Sequence, residues 1–478
     1  MTVPAPVRAA FPVLLAGLLA GVAVVGALMA DARGWARLEV VVAGVVFLAV
    51  ALVVVAVRGV EDLGIGLLFV AVTTATWNGL SGAAVPVAQP ALAAALLVLV
   101  GVAVAQRRRL VVPAWVWVLG GAILLIAVTS TFWPTDPGYL SARTRVPVPA
   151  EVAAAIPSFE VANLVNAVRW LISAVALPVA VCLAVTSRPR LAERLATAWV
   201  IGSTVNAAVA VTDELGVTAI SARLVSIVDI GGRQAGLGAQ PNHLALAVAL
   251  VAPVVTWRVL TSVVRWPWIV AGVVLAGGLL SSGSRGGLVA AVLGIGLTVL
   301  SLSAGRRVIA PLLGAVACTV AVVWAVFPAR VDDLLVALRL SGADSAAESD
   351  AVRSQIADQA LEDWVYSPVR GIGLPVVADG HNIYLQLLAA GGVLLLLGFA
   401  TAMVGFALDG RDLAAGGETL ATVLVVCTAV WLVVGLVENQ LTDAFLYVPF
   451  AVVAGLAARR RTRTPVTEQL VRGRGGPS

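Results

Sequence analysis

The sequence predicts an all-α polytopic membrane protein, and three observations predict it. Of 478 residues, 60% are hydrophobic and only 12% are charged, about half the charged share of an ordinary soluble domain. Mean hydropathy is +1.01. Runs of about 20 apolar residues recur along nearly the whole chain, each long enough to cross a hydrocarbon core of about 30 Å as a helix. A water-soluble globular enzyme, a disordered chain and a nucleic-acid binder are therefore excluded, and the pI of 9.7 is no nucleic-acid signal. The basic residues are all arginine, which reads as GC-rich codon usage.

The apolar runs between charged or Pro/Gly-rich breaks give about fourteen transmembrane helices (12–14, the third, seventh and ninth being short or Gly-broken). They fall at 11–30, 38–57, 63–79, 86–105, 111–131, 163–186, 196–212, 241–257, 266–282, 286–303, 308–327, 383–407, 419–437 and 441–458. The first run lacks an A-x-A cleavage pattern and is long for a signal peptide, so it reads as a retained span. The chain divides into N-terminal transmembrane helices (1–195), a transmembrane core (196–458) and an Arg-rich tail (459–478).

Charge fixes the orientation. With both termini cytoplasmic, the inner side holds 19 arginines and 7 acids, and the outer side 12 arginines and 19 acids. That is the bias expected of a multi-pass plasma-membrane protein. Trp35, Trp77, Trp115, Trp133, Trp266 and Trp324 fall near span ends, where interfacial tryptophans belong. Inner loops are short, whereas 132–162, 213–240 and 328–382 are long and outward. Long loops on a rigid helical scaffold carry sites, so the working surface is expected to face outward. In loop 328–382, Ser345 and Glu348 form a candidate capping box. Val352, Ile356, Leu361, Trp364 and Val365 recur at roughly helical spacing, so an amphipathic helix is expected over the outer face. Cys182, Cys318 and Cys427 lie within spans, and no disulfide is expected.

Three outward stretches collect the polar chemistry: 231–243, which holds Arg233, Gln234, Asn242 and His243; 281–287, Ser-Ser-Gly-Ser-Arg-Gly-Gly around Arg285; and 368–384, which holds Arg370, His381, Asn382 and Tyr384. Each places a cation or an imidazole at the outer boundary beside glycines that let backbone approach a ligand. Arg285 sits between two apolar helices with no acid nearby in sequence, and an arginine near bilayer depth costs at least a few kcal/mol unless paired. It either snorkels to lipid phosphates or binds a ligand's phosphate or pyrophosphate, which the guanidinium fork suits; Arg233 and Arg370 favour the second. His381, one of two histidines, is the side chain best placed to act as a base near neutral pH. His243 reads as capping or lining its span, and Arg169 as snorkelling outward.

No metal-ligand cluster, P-loop or Rossmann glycine pattern is present. Glu348-Ser349-Asp350 mimics an acidic metal motif but lies on the late loop, so no metal and no cofactor are expected. Inner loops are too short for a nucleotide-binding domain, which leaves neither nucleotide nor nucleic acid as a partner.

The three stretches together resemble the O-antigen ligase and polymerase superfamily of bacterial membrane glycosyltransferases. The resemblance lies in Arg233, Gly236, Pro241 and Asn242; in Ser284, Arg285 and Gly286; in Gly371 and Gly373 after a long outward loop; and in His381, Asn382, Tyr384 and Leu385 at a helix start. It covers roughly 200–440. It implies a GT-C-like, metal-independent, inverting transferase that moves a glycan from polyprenyl (undecaprenyl) pyrophosphate to an acceptor hydroxyl on a glycan or glycolipid, in cell-surface polysaccharide assembly. Carried over, Arg233 and Arg285 bind the pyrophosphate, Arg353 and Arg370 are further candidates, His381 is the general base, and Gln234, Asn242, Asn382 and Tyr384 support them. Such an enzyme should show a lateral lipid-facing groove plus an outward cavity, with Arg233, Arg285 and His381 converging there. The rival class is a transporter or flippase of lipid-linked glycans, which usually shows two related halves; here the Arg/His stretches all fall in the second half.

Overall fold

The computed structural model describes residues 55, 59–82, 85–142, 159–225, 232–302, 344–378 and 381–473. Among these the protein is helical, apart from a two-residue antiparallel pairing of 81–82 with 85–86. The main helices are α1 (Val60–Thr73), α2 (Ala88–Ala105), α3 (Ala114–Phe132), α4 (Phe159–Ser187), α5 (Leu191–Glu214) and α6 (Pro241–Thr261). They continue with α7 (Trp266–Ser282), α8 (Arg285–Ser301), α9 (Asp344–Tyr366), α10 (Ile383–Ala415), α11 (Thr419–Val434) and α12 (Val448–Gly473). Six of them, α2 to α6 and α10, are long and apolar enough to cross a membrane, and α7, α8 and α11 are shorter apolar helices. The chain is a membrane-embedded helical protein. Helices fall on every expected span that lies on described residues, but α1 ends at Thr73 within the expected span 63–79 and α12 begins at Val448 within 441–458; the expected spans 11–30, 38–57 (save residue 55) and 308–327 lie outside the described residues.

The lipid-facing surface is apolar: Val104, Val273 and Val289 are each more than 60% exposed, which in water would be an unusual concentration of apolar area. Between helices the close contacts come from small residues, as expected where lipid is as apolar as leucine and packing must drive association. Gly287 of α8 lies against Ala245 of α6, Gly278 of α7 against Ala207 of α5, and Gly398 of α10 against Ala122 of α3. Helices before and after residue 195 interleave: Trp77 Nε1, after α1, donates to the Gly202 carbonyl of α5 (2.9 Å), and Gly455 of α12 packs on Val181 and Val185 of α4.

At one end of the bundle, charged pairs tie helix termini together. Arg108 pairs with Glu61 at 2.8 Å, Arg188 with Asp62, Arg258 with Glu193 at 2.9 Å and Arg461 with Asp409 at 2.7 Å. Trp115 Nε1 also donates to Asp409 (2.9 Å). These are the arginines that the charge bias assigns to a single side.

Helix α10 is broken at Gly392, whose φ of 59° and ψ of −158° are not helical. The segment 368–373 runs across the break as a backbone clamp. Val393 N donates to Pro368 O (2.9 Å), Leu394 N to Val369 O (3.2 Å), Ile372 N to Ala389 O (2.8 Å) and Gly373 N to Ala390 O (3.0 Å). A side chain at Gly371 would strike the backbone of 389–391.

A helix, α9, lies in the loop 328–382 as expected, with one correction: it includes Asp344, so Ser345 lies within the helix and not at its cap. It buries Gln359, Ala360 and Asp363, while Val352, Leu361 and Val365 are exposed and Ile356 and Trp364 are half-buried. Asp363 accepts from Tyr139 Oη (2.9 Å) and Gln359 Nε2 (3.1 Å), and Tyr139 stacks on Tyr366 at 3.8 Å. Polar pairing seats the buried side of the helix.

Candidate anion site at the helix N-termini

Helices α6, α8 and α10 begin at the end of the bundle opposite the charged pairs. The N-terminus of each presents the positive end of its dipole. The first polar stretch reaches this end through a tightly seated loop. Gly79 N donates to Leu237 O (3.0 Å), Leu237 N to Asn206 Oδ1 (2.7 Å) and Ala239 N to Asn78 Oδ1 (2.9 Å). Gly236 adopts φ 57° directly over Asn206, a left-handed conformation with no room for a side chain.

That loop delivers Arg233 to the second stretch. Its Nε donates to the Ser282 carbonyl (2.7 Å) and its Nη2 to Asn242 Oδ1 (2.6 Å). Gln234 contributes its backbone N–H, which donates to Ser281 O (3.0 Å). Gly283, left-handed at φ 56°, stops α7, and Ser284 starts α8 by accepting from Gly287 N (3.3 Å). Arg285 thereby becomes the first residue of α8, a half-buried cation at the positive end of a helix, where its own charge and the dipole add. Such a terminus is an anion site by construction.

The third stretch divides. Asn382 caps α10, accepting from Tyr384 N (2.9 Å) and Leu385 N (3.1 Å), and Tyr384 Oη donates to Leu432 O (2.7 Å); both brace the helix start. Ile383 N donates to Gly435 O (2.8 Å), which holds His381 beside the segment that follows α11. Arg370 is held away from this junction, since its Nη1 donates to the Thr129 and Trp133 carbonyls at the C-terminal end of α3. Arg353 of α9 is close enough to act electrostatically on His381. Burial, with the Arg353 charge added, holds the imidazole below its ordinary value, so it is neutral at pH 7 and free to accept a proton. Its Nδ1 is buried without a hydrogen-bond partner.

Sequence reasoning missed Glu438, which is only 4% exposed. It lies in the segment 435–443, tied to α10 by Gln386 Nε2 donating to Asn439 O (3.2 Å). Its Oε1 is 3.1 Å from where a Cβ on Gly286 would stand, and its Oε2 has no partner. Burial pushes the carboxyl up to about 7 against the opposing pull of Arg353 and Arg233. Arg233, Arg353 and the start of α8 thus share one buried acid. The signal available in sequence was an acid directly after an apolar run with no cation adjacent to it.

His243 belongs to a separate network. Asn78 Nδ2 lies 2.6 Å from His243 Nδ1 and 2.8 Å from Asp443 Oδ1, with Asp443 Oδ2 3.8 Å from the imidazole. Because Asn78 Oδ1 accepts from Ala239 N, its amide is oriented to donate to His243, which leaves the imidazole proton on Nε2. This network pins the loop, α6 and the segment before α12 to one another.

Below the arginines, α6, α7 and α8 enclose an apolar groove of about 540 Å³, whose walls include Val248, Trp268, Val273, Leu279, Ala291 and Val299. Among the described residues no three His, Cys, Asp or Glu side chains gather as a metal site would require. No protein-family model matches the chain, and no curated protein is significantly similar to it. The arrangement combines an apolar groove, the N-termini of α6 and α8 with Arg233 and Arg285 at one end of the helices that line it, and a neutral imidazole within electrostatic reach of Arg353.

Proposed function

We propose that the protein is a membrane glycosyltransferase that moves a glycan from polyprenyl (undecaprenyl) pyrophosphate to an acceptor hydroxyl at the outer face of the plasma membrane. The observation that carries this reading is the shared origin of groove and cations: the three helices that enclose the apolar groove are also those whose outer ends hold Arg233, Asn242, Ser282 and Arg285. The ligand that fits has a long apolar tail and a compact anionic head. With about fourteen spans, GT-C-like architecture and both termini cytoplasmic, the site faces outward.

In the reaction, the acceptor oxygen forms a bond to the anomeric carbon as the carbon–oxygen bond to pyrophosphate breaks, with inversion. The acceptor proton passes to His381. The electron pair leaves with the polyprenyl pyrophosphate, whose developing charge Arg233, Arg285 and the α8 N-terminus stabilise. Pyrophosphate is already a good leaving group, so cationic stabilisation and a positioned base suffice. Burial, with the Arg353 charge added, keeps His381 neutral, and the reaction class is either ligation of a finished glycan to a glycolipid or polymerisation of lipid-linked repeats.

The test uses the purified chain in nanodiscs with a short glycan on undecaprenyl pyrophosphate, followed by mass spectrometry. A ladder of longer lipid-linked chains, absent in His381→Ala, identifies a polymerase. Release of undecaprenyl pyrophosphate only when a separate acceptor is supplied identifies a ligase. No release under either condition overturns the proposal and points to lipid-linked glycan transport.

A further inference from the structure

Glu438 has no place in that reaction as written, yet it is the group through which the site's cations meet. It is buried, it abuts Gly286 in the first turn of α8, and one carboxyl oxygen has no partner in the protein. An unpaired buried carboxylate is among the costliest groups a protein can keep, so its retention calls for a partner that is sometimes elsewhere. The charged groups that act on it are Arg233 from the loop before α6 and Arg353 from α9, and Arg285 precedes Gly286 in sequence. His381 enters with α10. The other acid on its own segment, Asp443, is engaged by Asn78.

We propose that Glu438 is an exchangeable counter-ion of the anion site: ionised, it balances Arg233 and Arg353 while the site is empty, and it takes a proton from solvent when a pyrophosphate diester enters. The inference rests on the pyrophosphate reading above. Two anionic phosphates beside a carboxylate would repel it, and they would also draw off the guanidinium charge that keeps it ionised. The balanced event is transfer of one proton from water or buffer to the Glu438 carboxylate on binding, and its return when the lipid pyrophosphate leaves. A carboxyl that ionises near pH 7 in the empty site is poised for this exchange.

The consequence is a linkage with a definite sign. Below about pH 7 the carboxyl is already protonated and binding takes up nothing. Above it, each bound ligand takes up close to one proton, and affinity falls by up to tenfold per pH unit. The probe is citronellyl diphospho-N-acetylglucosamine, a short-chain pyrophosphate diester whose own phosphates do not titrate in this range. Calorimetry on the full chain in nanodiscs, in two buffers of different ionisation enthalpy, reads the protons taken up. Infrared difference spectra read the protonated-carboxyl stretch directly.

The expected result is uptake near one proton at pH 8 with a new carboxylic-acid band. In Glu438→Gln, uptake and band vanish and affinity at pH 8 exceeds wild type. Should that variant fail to fold, the wild-type infrared spectrum alone decides: no new band means no protonation. Binding without proton uptake overturns the exchange and leaves the pyrophosphate site standing, as does a pH dependence that survives in Glu438→Gln. Absence of binding at every pH overturns both readings together.

Discussion

Gly236→Ala isolates the loop that delivers Arg233. A Cβ at this position would stand 2.5 Å from the Asn206 carbonyl oxygen and against Asn206 Oδ1, on a backbone at φ 57°. The left-handed conformation costs about 1–2 kcal/mol for a residue with a side chain. Moving Asn206 Oδ1 aside removes its 2.7 Å bond from Leu237 N and leaves a buried amide without a partner, at about 1–3 kcal/mol. The total of about 2–5 kcal/mol is relieved if the loop lifts off, because unseating a loop disrupts less than unfolding the helices. Only the seated fraction places Arg233, so apparent affinity for a short-chain pyrophosphate diester should fall, by at most about 30-fold at the lower cost and several thousandfold at the higher, less whatever free energy favours seating in wild type. Calorimetry measures that loss, and circular dichroism should show the helical bundle melting within a few degrees of wild type. Gly216→Ala is the control: its φ is 68° with open space around it, so it carries the conformational cost without the clash and should bind normally. Wild-type affinity in Gly236→Ala would refute the claim that this glycine seats the loop.

Three further outcomes follow from the site. Arg233→Lys keeps the charge but cannot hold both the Ser282 carbonyl and Asn242; losing one charge-assisted bond predicts about 10- to 150-fold weaker binding of the same probe, and unchanged binding would remove Arg233 from the anion site. His381→Ala should lower turnover by about 10²–10⁴-fold with donor affinity retained. In wild type, turnover should fall as pH drops through the lowered pKa of His381, below 6.5; a rate that rises with acid would sink the base assignment. Glu438 bears on stability as well, since its carboxyl titrates at about 7 in the folded protein against an ordinary 4.5. The folded state binds the proton more tightly, so this contribution is present below 4.5 and is lost as pH rises through 7. At pH 8 the penalty is about 3 kcal/mol, and Glu438→Gln should raise the thermal midpoint there but not at pH 4. An equal shift at both would assign the gain to packing.

Much of the fold was legible because hydropathy is a property of whole segments. The windows at 86–105 and 266–282 coincide almost residue for residue with α2 and α7, since a helix crossing lipid must be apolar along its length. Pairing between distant positions was not legible. Asn78 and Asn206 are unremarked polar residues in apolar runs until the fold brings the 232–240 loop onto them. Arg233 and Arg285 were readable because an arginine at a helix boundary is costly wherever it packs. Arg370 shared that signal, yet its charge serves the end of α3. The glycines around it, read as openings for a ligand, permit backbone to approach backbone at the break in α10. Glu438 escaped notice because its significance lies in having Arg233 and Arg353 as neighbours from remote sequence.

The groove is walled in part by short helices. α7 and α8 have 17 residues each and rise about 25 Å at 1.5 Å per residue, some 5 Å less than an average hydrocarbon core. Lipid beside them must thin to match, at a cost of fractions of a kcal/mol per ångström. The thinning falls along two of the three helices that line the groove, so it brings the headgroup plane nearer to Arg285 at the start of α8. On the proposed function, membrane thickness then sets how far the charged head of a lipid-borne ligand is drawn through hydrocarbon before it meets the arginines.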